Sequence, residues 1–139
     1  MKKNSKELNF LMSNHISTKR DYLERMNNSK ISCMKEAKKY GKKYWDGNRK
    51  FGYGGYKYIP NRWTKVAKRI IKKFKLNNKS KILDVGCGKG FLMYEIKKIL
   101  PGIYLRGFDI SNYAIKNSKK EIKKLLFKHK AQEKYPFVS

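Results

Sequence analysis

Ten residues near the middle of the chain, ILDVGCGKGF from Ile82 to Phe91, constrain its fold more than any other stretch. A short apolar run carrying one acid passes directly into three alternating glycines, and a helical pattern begins immediately after them. The apolar run, Lys81 to Val85, reads as a buried strand. Gly86, Gly88 and Gly90 remove side chains where the backbone turns sharply, so a ligand can approach the main chain and the free N–H groups at the start of the next helix. Phe91 to Leu100 continues as a helix and is stopped by Pro101-Gly102. Ile103 to Ile110 reads as a second strand ending in Asp109-Ile110, and Ser111 caps a helix expected to run roughly to His129. Strand, glycine turn, helix, strand, helix is a βαβα unit, which requires parallel strands and a right-handed crossover. The fold class is α/β. The segment AQEKYPFVS is expected to begin another loop or strand.

Upstream of this unit the pattern changes. Thr18 caps a short helix carrying Tyr22, Leu23 and Met26; helix resumes from Ile31 to Tyr40 and ends at Gly41. Lys42 to Trp63 holds both tryptophans and four of the ten glycines. It reads as an irregular aromatic loop, either a linker that packs by stacking or a binding lid whose rings suit a flat or cationic ligand. Trp63 to Phe74 is amphipathic, with Trp63, Val66, Ala67, Ile70, Ile71 and Phe74 on one face and Lys and Arg on the other. Two parts result: residues 1–62, a helical segment and aromatic lid, and residues 63–139, the α/β unit.

In a parallel βα unit the ligand sits at the carboxyl ends of the strands. Asp109 lies about 20 residues beyond the glycines, where an acid accepts hydrogen bonds from ribose hydroxyls. The dinucleotide fingerprint would need its third glycine at Phe91, and the P-loop would need Ser or Thr after Lys89, where Gly90 stands. Asp84 repels phosphate and suits an ammonium or sulfonium group. Asp84 could also cap the turn, and Asp109 the following helix.

DVGCGKG followed by GFDIS resembles the glycine motif and ribose acid of class I S-adenosylmethionine-dependent methyltransferases. The likeness is close from about Lys81 to Ser111. Glu133 to Phe137 looks like the segment before the fourth strand, and Lys130, Ala131 or Gln132 stands where many relatives place an Asp near the adenine. YWDGNRKFGYGGYKY with Arg62-Trp63 looks like a preface found in one bacterial subgroup, with Ile59-Pro60-Asn61 as a different turn. The resemblance implies an incomplete Rossmann-like sheet and S-adenosylmethionine as cofactor. It implies that Asp84 contacts the methionine amino group and that Gly86, the Cys87 backbone, Gly88 and Gly90 line the ligand. Asp109 would bind the ribose hydroxyls and Ile110 would pack on adenine. Acceptor-side residues are expected in the lid: Asp46, Tyr53, Tyr56 and Trp63. No general base is nominated. The family's sheet has seven strands and this chain supplies two and the start of a third, so the expectation is an N-terminal portion that binds cofactor weakly and does not turn over. Small molecules or glycan precursors are the expected acceptors.

Composition adds a second class of reading. The chain has 36 Lys and Arg against 10 Asp and Glu, a net charge of +26. Clustered basic charge attracts polyanions, so a small nucleic-acid-binding protein with a degenerate cofactor loop is the alternative. Against it, most of the cations are lysines scattered over helix faces, with few arginines for bidentate contacts. Cys33 and Cys87 lack the spacing of a disulfide framework or zinc site, and His15 and His129 are isolated, so no metal is expected. No apolar run reaches the roughly 18 residues of a membrane span, and the basic start lacks a signal peptide's apolar core. A cytoplasmic location is the expectation.

Overall fold

The computed structural model describes residues 30–136. The expected helix from Thr18, and His15, lie outside them. Helix α1 (Lys30–Ala37) ends ahead of Tyr40, whose φ of +48° turns the chain. The aromatic segment is more ordered than its composition predicted. It holds a short helix α2 (Lys42–Asp46) and a 3-10 turn (Arg49–Phe51) begun by Asn48, whose side chain accepts from the Lys50 N–H. Helix α3 (Thr64–Lys73) follows the apolar stripe, burying Val66 and Ala67.

The central unit forms as read. Strand β1 (Lys81–Val85), helix α4 (Phe91–Ile99) and strand β2 (Tyr104–Asp109) follow in order. β1 and β2 are parallel, pairing Ile82 with Leu105 and Asp84 with Gly107. One expectation fails beyond Ser111. Ser111 does cap α5 (Asn112–Lys116), accepting the Ala114 N–H, but the helix stops at Lys116 rather than near His129. Asn117 donates its amide to the Tyr113 carbonyl and the Ser118 hydroxyl donates to the Ile115 carbonyl, closing the last turn from the side chains. A 3-10 turn (Lys123–Leu125) then leads into β3 (Leu126–Lys128), which pairs in parallel with β2. Leu126 and Phe127 carry more stabilisation as a sheet edge than as a helical turn, because one enters the core and the other packs on Phe108. The third strand therefore starts before AQEKYPFVS.

The sheet order is β1-β2-β3. Alternation along the strands sends Leu105 and Gly107 towards α4. The core on that face is Ala67, Met93, Ile96, Ile103, Leu105, Ile122 and Leu126. Gly107 is required there, since a Cβ would meet the Met93 sulfur at 2.5 Å. On the other face Phe108 packs with Phe127, His129 and Tyr135, while Val85 and Tyr104 are exposed. Among the described residues no helix is long and apolar enough to cross a membrane.

Candidate functional site

The carboxyl ends of β1 and β2 bring Asp84, Gly86, Cys87, Gly88 and Asp109 together. Backbone bonds fix the turn: the Gly86 and Cys87 N–H groups both donate to the Phe108 carbonyl, and the Gly90 N–H donates to the Cys87 carbonyl. The three glycines serve three different neighbours. Gly86 has φ +75° and open space where a Cβ would stand. At Gly88 a Cβ would come within 2.9 Å of the Trp45 ring, and at Gly90 within 2.6 Å of Ile122 Cδ1. The Cys87 thiol is free, and burial pushes its pKa far up, so it is an inert packing group beside Gly107.

The two acids differ. Asp109 is buried, its Oδ2 accepting the Gly88 N–H at 2.8 Å and its Oδ1 accepting the Ser111 N–H at 2.8 Å. It thus spans the glycine turn and the start of α5. Asp84 faces α4 beside an apolar cavity of about 150 Å³ lined by Ile70, Leu92, Met93 and Ile96. Among the described residues its carboxylate has no hydrogen-bond or ion-pair partner, and the side chain is half-buried, its oxygens reaching solvent. Burial, and then the negative charge of Asp109, push its pKa up to about 6. Ile110 follows Asp109 as an exposed apolar ledge, 43% accessible.

The aromatic segment sits on this turn. Trp45, 6% exposed, lies over Gly88 and donates its indole Nε1–H to Ser111 Oγ at 2.9 Å and to the Tyr40 carbonyl at 3.1 Å. Tyr53 stacks on Trp45 with ring centroids 5.2 Å apart, and Tyr56 stacks on Phe91, the first residue of α4. Asp46 is held from three sides: by Lys89 Nζ at 2.8 Å, by the Tyr113 hydroxyl at 2.8 Å and by the Tyr56 N–H at 3.0 Å. Burial alone would raise the Asp46 pKa, but the Lys89 and Tyr113 hydrogen bonds outweigh it and hold the carboxyl below its ordinary range. Lys89 is 4% exposed and also donates to the Tyr56 carbonyl.

Of the four lid residues read from the sequence, Asp46, Tyr53 and Tyr56 come together against the glycine turn. Trp63 stands apart at the N-terminal end of α3. Sequence reasoning missed Trp45, Lys89, Tyr113 and Glu95. Glu95 is buried on α4, accepting from the Tyr58 hydroxyl and from Thr64 Oγ1, and so ties the end of the aromatic segment and α3 to α4. Lys89 had a signal, a cation inside a glycine turn that no phosphate motif accounts for. Asp46 was named as a lid residue, but nothing in the sequence signalled that it would pair with a lysine 43 residues away.

No curated protein matches the chain. Residues 76–134 match the family model described as a methyltransferase domain. That span begins in the turn before β1 and runs past β3, so the whole parallel sheet lies within the match, which supports a methyltransferase domain with an incomplete Rossmann-like sheet over this stretch.

Proposed function

We propose that the chain binds S-adenosylmethionine at the carboxyl ends of β1 and β2 and serves methyl transfer to a small-molecule or glycan-precursor acceptor. The observation that carries this reading is Asp84, a half-buried carboxylate with no partner among the described residues and a pKa raised to about 6, beside a glycine whose flank is open. Such a group is stabilised by a cation, and an ammonium is the group that an amino-acid ligand brings. When bound, S-adenosylmethionine supplies a methyl group already activated on a sulfonium, so the chain's tasks are to hold, orient and exclude water.

Asp84 then accepts hydrogen bonds from the ligand's ammonium. Gly86 leaves its main chain approachable, as do Cys87, through its backbone, and Gly88 where Trp45 does not cover it. Gly90 sets the start of α4. Ile110 offers an apolar surface to a flat ring. Asp109 keeps lone pairs beyond its two backbone partners and takes ribose hydroxyls with them. On the acceptor side, Tyr53 supports the small-molecule or glycan reading: it is half exposed and backed by Trp45, the kind of flat face that a sugar ring packs against. Asp46 and Tyr56 support that face from behind rather than meeting an acceptor themselves.

Calorimetric titration with S-adenosylhomocysteine tests this. Binding is expected for the parent chain, weakened roughly tenfold or more in Asp84→Asn, which keeps the shape and removes the charge. Equal affinity in the two proteins would remove Asp84 from the site.

A further inference from the structure

Trp45 bridges the two residues that clamp Asp109. Its ring covers Gly88, whose N–H holds Asp109 Oδ2, and its indole N–H reaches Ser111, whose backbone N–H holds Asp109 Oδ1. Asp109 is consequently only 8% exposed. The methionine end of the proposed site, Asp84 and Gly86, is open, while the ribose end is roofed. Besides the indole's own hydrogen bonds to Ser111 and Tyr40, the roof is fastened through the residue next to Trp45. Asp46, the residue after Trp45, is gripped by Lys89 from within the glycine turn and by Tyr113 from α5. Lys89 also bonds the Tyr56 carbonyl, so one cation ties two points of the aromatic segment to the ligand loop.

We infer that Trp45 is a gate on the cofactor site and that Lys89, Asp46 and Tyr113 form its latch. This rests on the S-adenosylmethionine reading above. A ligand's hydroxyls reach Asp109 only when Trp45 leaves Gly88, and Trp45 leaves when the Asp46 latch lets go. Lys89 is thereby a positioning residue in the ligand loop that acts on the lid rather than on the ligand. In a gated site the observed affinity is the intrinsic affinity scaled by the open fraction. Weakening the latch therefore tightens and speeds binding. A Trp45 that served as a fixed wall would give the opposite sign, because loosening a wall weakens binding.

The probe is S-adenosylhomocysteine. Tyr113→Phe removes one hydrogen bond from Asp46 and keeps the ring, and Lys89→Met is the stronger variant. Both are made in a Trp63→Phe background, so that Trp45 is the sole indole. Stopped-flow association is expected to be several-fold faster in Tyr113→Phe, with a tighter equilibrium affinity. Trp45 emission is expected to shift to the red, and to become more open to acrylamide quenching, as ligand saturates. Binding confined to the latch variants would support the gate as well. Binding by calorimetry with unchanged Trp45 emission, or latch variants that bind more slowly and weakly, would overturn it while leaving the cofactor reading intact. No binding by any of these proteins would overturn both.

Discussion

Asp84 shows how one side chain reports on its surroundings. Unfolded, its carboxyl ionises near 3.8; folded, near 6. Between those values folding takes up a proton, so stability contributed by this group falls as pH rises from about 4 to about 6, and the cost is complete above that. Asp84→Asn is therefore expected to match the parent in urea unfolding below pH 4 and to exceed it by up to about 3 kcal/mol at pH 7. A parent that is the more stable of the two at pH 7 would contradict this. The same titration acts on the ligand with the other sign. An ammonium needs the carboxylate, so S-adenosylhomocysteine affinity is expected to fall by roughly tenfold per pH unit below about 6 in the parent and to stay flat in Asp84→Asn. Titration calorimetry across pH 4.5 to 7.5 checks it.

At the scale of elements, the glycine turn separates ligand requirements from packing requirements. Gly86→Ala meets open space and is strained only by its φ of +75°, for an expected loss of about 1 kcal/mol. Gly90→Ala has a φ of +71° and also drives a methyl into Ile122 and Leu126, for about 2–4 kcal/mol. Thermal melts of the two variants order them; a Gly86 variant that melts lower than the Gly90 variant would refute the assignment. The comparison also shows what the residues disclosed. β1, α4 and β2 were legible because hydrophobic period and stop signals act within each segment. The length of α5 was not, because Leu125 to Phe127 fits a helical pattern as well as a strand, and pairing with β2 decided it. Within the site, Asp109 and the glycines were legible from spacing. That Gly88 seats an indole was not, because its partner lies far off in the chain and only the folded arrangement joins them.

Over the whole molecule, 36 cations against 10 anions leave repulsion as the dominant long-range field. Helix α3 concentrates it, with Lys65, Lys68, Arg69, Lys72 and Lys73 exposed along one side. Salt screens repulsion between exposed charges, while the Lys89–Asp46 pair is shielded by burial. The melting temperature is thus expected to rise by a few degrees between about 20 mM and 300 mM sodium chloride. A fall over that range would mean that attractive surface pairs dominate instead. The Lys89–Asp46 tie has a further consequence, for how such a chain can be recombined. The aromatic segment and the glycine turn are far apart in sequence, yet each is shaped to the other. Grafted onto a different βα turn, the segment would bring a carboxylate with no cation to meet it and an indole with no bare glycine to rest on. Left behind, the turn would keep a buried lysine without its counterion. The two halves act as one structural cassette, and a chimera that splits them is expected to fold worse than either parent.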